Sequence, residues 1–213
     1  MSNYLGGAIV VIASTKPPTL TDATKTRFTL DEYRAMEETA EERHEYCNGE
    51  IITMSGGSPA HSRITVDVTT FLNVALRDTH FQTYNGDLRI WIPGFNHGTY
   101  PDITVIDGEP EFNADRTDEI LNPLLIVEVL SPSTEAYDRT EKFRKYRSIP
   151  SFCEYLLVSQ TEPYIEQYYN CDRPNSDRWQ LQIYDGLDRA IVLHSLNIEL
   201  PMSEVYRRIN FSA

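Results

Sequence analysis

Apolar positions fall in two kinds of pattern along the chain. From Ser58, "SPAHSRITVDVTTFLNVALRD" places Ile64, Val68, Phe71, Leu72 and Ala75 at helical spacing. "TLDEYRAMEE" predicts a shorter helix, with Thr29 as its cap and Asp31 and Glu32 in its first turn. Between them, "HEYCNGEIITMSG" holds two strand-like segments about an Asn48-Gly49 pair, a strong hairpin signal. "FQTYNGDLRIWIPG" predicts one strand and "TYPDITVIDG" a second, in which Ile103 and Val105 alternate and Ile106 falls out of phase. "NPLLIVEVLS" is almost continuously apolar, as a central strand covered on both faces should be. Residues 108 to 121 form a polar connection between these last two strands.

"YDRTEKFRKYRSIP" predicts a helix, with Asp138 and Glu141 at capping-box spacing and a stop before Pro150. Four further strands follow in "EYLLVSQ", "YIEQYYN", "RWQLQIYDG" and "AIVLHSL". "PMSEVYRRI" closes the series as a short helix with Pro201 at its start. Residues 1 to 27, rich in Thr, Pro and Ser, read as a flexible tail ahead of a single domain over 28 to 213. The order of elements predicts an α/β or α+β domain around a mixed central β-sheet, flanked by helices, with an N-terminal helix and β-hairpin.

Composition narrows this picture without redirecting it. The 213 residues suit one domain, and the three cysteines show no CxxC spacing, which favours a reducing cytoplasm. No positive residue precedes the short apolar run "AIVVIAS", so no export signal is read, and nothing approaches a membrane span. The net charge of -13 opposes any function built on broad phosphate neutralisation.

One residue breaks the apolar pattern. Glu128 sits in the middle of "LLIVEVL", and an ionised carboxylate buried there must neutralise, pair or bind a cation. Asp102 begins the preceding core strand, so the two carboxylates converge if these strands are neighbours. Mg²⁺ or Mn²⁺ suits such a pair, because both accept oxygen ligands and need no His or Cys. On the following helix, at about 100° per residue, Lys142 borders the face carrying Phe143 and Tyr146, whereas Lys145 points away. Lys142 is therefore the lysine expected to reach inward, and a structural ion pair with Glu128 is the competing use for both groups. From Tyr137 to Arg147, five basic residues face two acidic ones, a local charge of +3 that is either a solvated surface or a phosphate-facing patch. His61 could assist phosphate binding, but a helix-surface histidine is more often incidental, and that is the reading taken. His44, His80, His97 and His194 show no metal-ligand spacing, and Tyr164, Tyr168 and Tyr169, which could stack on bases, are read as packing residues.

"YPD" at 100 to 102, then "IVEVLSPST", then "DRTEKFRKYRSIPSFCEYLLV", with "RHEYCNGEIITMSG" and "SPAHSRI" upstream, resembles the Uma-two family of restriction endonucleases. That family lies in the PD-(D/E)XK nuclease superfamily, and the resemblance runs from about Phe28 to Glu166. It implies a restriction-endonuclease-like fold and metal-dependent hydrolysis of DNA phosphodiester bonds. Its acidic pair falls on Asp102 and Glu128, and its lysine on Lys142. The backbone carbonyl of Val129 would complete the cation's shell, and an early supporting Glu corresponds to Glu45. The superfamily pattern expects Lys two residues after the second acid, where this chain has Leu130. A non-catalytic module of the same fold, binding nucleic acid or a protein partner, is the alternative. A homodimer is expected if the strand-rich C-terminal half leaves an edge uncovered.

Overall fold

The computed structural model describes residues 27 to 54, 56 to 173 and 175 to 211. The predicted tail, apart from Arg27, lies outside them. Helix α1 (Leu30–Glu37) starts as its sequence requires: the Thr29 hydroxyl accepts the Glu32 N–H, and the Glu32 carboxylate accepts the Thr29 N–H at 2.8 Å. Strands β1 (His44–Cys47) and β2 (Glu50–Thr53) pair antiparallel around Asn48 and Gly49, whose φ angles of 47° and 99° are those of a type I′ turn. Helix α2 (Pro59–Ala75) follows, capped by Ser58.

The remaining strands are β3 (Phe81–Asn85), β4 (Arg89–Ile92), β5 (His97–Thr99), β6 (Ile103–Asp107), β7 (Glu119–Ile120) and β8 (Pro123–Leu130). A helical run then passes through α3 (Glu135–Tyr137), a π-helical turn (Asp138–Lys142) and α4 (Phe143–Tyr146). Strands β9 (Glu154–Ser159), β10 (Tyr164–Tyr169), β11 (Gln180–Asp185), β12 (Ala190–Leu193) and β13 (Ile198–Pro201) precede α5 (Met202–Val205). Two sheets dominate. A five-stranded sheet runs β2-β1-β5-β4-β7 and a six-stranded one runs β11-β10-β9-β8-β6-β3, while β12 and β13 form a separate pair. The six-stranded sheet is mixed, since β8 pairs parallel with β9 and antiparallel with β6. Among the described residues no helix is long and apolar enough to cross a membrane.

Both faces of β8 are covered. Leu125, Val127 and Val129 pack on one side with Ile64, Val68 and Leu72 of α2, together with Ile103 and Val105 of β6. Ile126 and Leu130 pack on the other with Phe143, Tyr146 and Tyr155. Ile106 belongs to this second cluster, so its phase reflects a strand buried on both faces. Because side chains alternate along a strand, Glu128 shares the face of Ile126 and Leu130 and looks toward the helical run.

Several expectations need correction. "FQTYNGDLRIWIPG" is two strands in different sheets, because Asn85-Gly86-Asp87 turns the chain and the Asn85 side chain accepts the Asp87 N–H. "TYPDITVIDG" likewise divides into β5 and β6 at the Pro101-Asp102 step, where Pro has no N–H for a ladder. The polar connection of 108 to 121 contains β7, which pairs parallel with β4. On α2, Ala75 is exposed and Leu76 takes the buried position. Asp138 does not cap a helix with Glu141; it is buried inside the π turn.

Candidate active site

The start of β6 meets the middle of β8. Ile103 pairs with Val127, and beyond that point the ladder is replaced by a side chain: the Val129 N–H donates to Asp102 Oδ2 at 2.8 Å. Asp102 is thereby held against β8 beside Glu128. Both residues line a cleft of about 500 Å³, together with Glu45, His61, Asp138 and Lys142.

Lys142 is buried and forms the centre of the charge arrangement. Its Nζ lies 2.9 Å from Glu128 Oε1, 3.3 Å from Glu45 Oε1 and 3.6 Å from Asp138 Oδ1. Asp138 and Lys142, four residues apart on the π-helical turn, face the same cleft. Tyr146 donates its hydroxyl to Glu128 Oε1 at 2.9 Å, and Thr99 donates to Glu45 Oε1 at 2.5 Å. Asp102 and Glu128 each keep one oxygen, Oδ1 and Oε2, without a hydrogen bond among the described residues.

The titration behaviour follows from this crowding. Burial pushes the Glu128 carboxyl well above its ordinary range, the Lys142 charge opposes that shift, and Asp138 and Asp102 add to it. Burial likewise raises Asp138 against the pull of Lys142. Burial alone would lower the Lys142 ammonium, but the charges of Glu128, Glu45 and Asp138 outweigh it and hold the group protonated. Burial would raise Glu45, but Lys142, His97 and the Thr99 hydroxyl bring it below the usual carboxylate range. The cleft thus holds four carboxylates against Lys142 and His61.

Two residues and one segment stand differently from their sequence reading. His61 is not incidental: its Nε2 lies 3.1 Å from Asp102 Oδ2, and the hydrogen bond to Asp102 raises its pKa despite partial burial. Lys145 does not point away. It is buried, and its Nζ donates to the Tyr137 hydroxyl at 2.8 Å and to Cys47 Sγ at 3.2 Å, because the helical run is roofed by the five-stranded sheet rather than by solvent. The +3 segment is not a free phosphate-facing patch either. Lys142 and Lys145 are buried, Arg139 pairs with Glu135 and Glu166, and Arg144 pairs with Glu141. Among the tyrosines, Tyr168 packs on Phe143 and Tyr169 stacks on His194.

Residues 30 to 203 match the family model Uma2, described as "Putative restriction endonuclease". The chain belongs to the Uma2 family. Two relatives from Synechocystis, each described only as an uncharacterised protein, are both 38% identical to it. One aligns over 68% of this chain and 82% of its own length, the other over 85% and 92%. A solved structure from Anabaena variabilis, described as "a putative nuclease belonging to DUF820", matches with a TM-score of 0.68 at 20% identity, covering 86% of this chain and 99% of that one. At that identity the likeness concerns the fold alone, a mixed sheet flanked by helices.

Within this Uma2 chain, the residues that sequence reasoning missed are Asp138, Tyr146 and Thr99. Asp138 and Tyr146 lie four residues on either side of Lys142, a spacing that places side chains on one helical face and was available as a signal. Thr99 carried none, because its contact with Glu45 depends on how β5 sits beside β1.

The donor set bears on whether a cation fits. Among the described residues no three His, Cys, Asp or Glu side chains form a ready-made metal cage. Two carboxylates with one unbonded oxygen each, in a cleft with excess negative charge, nevertheless suit a hard divalent cation, which commonly uses one or two carboxylates and several waters. The Val129 carbonyl lies on the same strand edge as the N–H that reaches Asp102. Glu45 has its Oε1 committed to Thr99 and Lys142, while its Oε2 lies 3.9 Å from the buried His97 Nε2.

Proposed function

We propose that this protein is a metal-dependent endonuclease that hydrolyses DNA phosphodiester bonds at the cleft of Asp102, Glu128 and Lys142. The observation that carries the reading is the meeting of Asp102, Glu128 and Lys142 in one cleft, with Glu128 and Lys142 buried, in a member of a restriction-endonuclease family. Asp102, Glu128 and the Val129 carbonyl would hold Mg²⁺ or Mn²⁺. Such an ion, when bound, supplies polarisation of the phosphate and activation of a water. Lys142 carries a fixed positive charge beside Glu128, where it stabilises negative charge developing on the phosphate or orients the attacking water. Glu45, with Thr99, acts on Lys142 and is a positioning residue rather than a ligand. Tyr146 fixes the Glu128 carboxylate so that Oε2 keeps its direction.

A second reading has its own support. Lys142 already compensates Glu128 and Glu45, and Leu130 stands where the superfamily pattern places its lysine. A non-catalytic module binding nucleic acid or a protein partner would keep the same ion pairs for structure.

Cleavage and filter binding with supercoiled DNA, run in Mg²⁺, Mn²⁺, Ca²⁺ and chelator, separate the two. The nuclease reading expects nicking in Mg²⁺ or Mn²⁺ that is lost in Asp102→Asn, Glu128→Gln and Lys142→Met, with binding retained in Ca²⁺. DNA neither bound nor cut under any condition would overturn it in favour of the protein-binding module.

A further inference from the structure

Lys145 is buried behind Tyr137, and the reading above gives it no part. On the same helical run Lys142 faces three carboxylates, and Arg139 and Arg144 each pair with glutamate. Lys145 pairs with no carboxylate among the described residues. Its Nζ donates instead to the Tyr137 hydroxyl at 2.8 Å and to Cys47 Sγ at 3.2 Å. Burial would lower this ammonium, but those hydrogen bonds outweigh it and hold the group protonated. A buried cation with no carboxylate beside it costs stability, so packing does not account for it.

Tyr137 connects it to the cleft. This side chain is half-buried and lines the cleft together with Asp102, Glu128 and Lys142. Its hydroxyl accepts the Lys145 N–H, and among the described residues no acceptor takes its own proton. Tyr100, the other tyrosine lining the cleft, gives its proton to Glu37 Oε1 at 3.0 Å. We propose that Tyr137, polarised by Lys145, donates a hydrogen bond to a non-bridging oxygen of the scissile phosphate and is a further catalytic residue of the cleft. This rests on the nuclease reading above and deepens it.

The composition of the cleft asks for such a donor. A phosphodiester offers acceptors to the protein, and so does every ionised carboxylate around it. Lys142 is shared among Glu128, Glu45 and Asp138, and His61 is bound to Asp102. A hydroxyl whose oxygen accepts from an ammonium becomes a stronger donor through its proton, because linked hydrogen bonds polarise one another. Lys145 thus brings its charge to the phosphate at one remove. Tyr137 transfers no proton in this role, and Lys145, which acts through it, is a positioning residue.

Cleavage of supercoiled DNA by the full chain in Mn²⁺, with Mn²⁺ calorimetry and urea denaturation on the same variants, tests the assignment. Tyr137→Phe should lower kcat roughly hundredfold with KM and Mn²⁺ affinity unchanged, because the bond answers charge that develops in the transition state. Lys145→Met should lose less. The double variant Lys145→Met/Tyr137→Phe should lose no more than Tyr137→Phe alone, since Lys145 acts through the hydroxyl. Cys47→Ala, which removes the other Lys145 contact, should cut at the wild-type rate. Lys145→Met should keep or raise the urea midpoint, as expected of a cation held for chemistry and not for packing. Wild-type cutting that Tyr137→Phe leaves intact, or losses that multiply in the double variant, overturns the proposal and leaves the nuclease reading standing. No cutting by the wild type in any metal overturns both.

Discussion

Lys142→Met removes the ammonium from beneath three carboxylates while keeping most of the side-chain volume. Nζ is 2.9 Å from Glu128, 3.3 Å from Glu45 and 3.6 Å from Asp138, and all four residues are buried. Breaking a buried pair by removing one partner costs about 3–5 kcal/mol, against about 1 kcal/mol or less for an exposed pair. The loss should depend on pH. Burial already raises Glu128 and Asp138, and without Lys142 their folded-state values rise further above those of the unfolded chain. A carboxyl raised on folding binds more protons in the folded state, so its contribution falls as pH rises. The gap between wild type and Lys142→Met should therefore be widest near pH 8 and narrow toward pH 5. Urea denaturation at both pH values measures it. The double variant Lys142→Met/Glu128→Gln should regain about 1 kcal/mol or more at pH 8, because one orphaned carboxylate is gone. A loss below about 1 kcal/mol at pH 8, or a gap that does not narrow in acid, refutes the buried-charge account.

His97 predicts a second pH effect, of opposite origin. It is fully buried, and burial lowers its pKa to about 4, with Glu45 resisting and Lys145 and Lys142 assisting. The unfolded chain, with a histidine near 6.5, binds the extra proton across pH 4 to 6.5, so stability falls as pH drops through that window by up to about 1.4 kcal/mol per unit. His97→Phe should flatten this slope in urea midpoints taken at pH 7.5 and 4.5, and identical slopes would remove the assignment. A homodimer is expected through β11, an edge strand whose Leu181 and Ile183 are 52% and 45% exposed. Light scattering should show a dimer at high micromolar concentration that Leu181→Lys/Ile183→Lys dissociates; a wild-type monomer contradicts it.

The local elements were legible where local chemistry specifies them. Thr29 and Glu32 fix the start of α1, Asn48-Gly49 fixes the first hairpin, and the continuous apolar run of β8 fixes a central strand. Glu128 stood out for the same reason, as one carboxylate in an apolar series. What failed was decided between elements. Lys145 follows a 100° rule onto the outer face, but a π turn precedes it and a sheet lies over it. His61 looks like a surface residue on its own helix, yet the helix start abuts the start of β6 and the ring meets Asp102. The break between β3 and β4 was visible in Asn85-Gly86-Asp87, but the strands' division between two sheets was not, because it depends on β5 and β7.

The central claim is that Asp102 and Glu128 are kept together to hold a divalent cation, rather than merely to answer Lys142. Calorimetric titration of Mn²⁺ into the wild type, Asp102→Asn and Glu128→Gln tests it most directly, because it reads the ion and not the chemistry. The account predicts one saturable site in the wild type that is lost in both variants, each still folded. An absence of binding by the wild type, or equal binding by Asp102→Asn, would contradict it and leave Glu128 as one half of a structural ion pair.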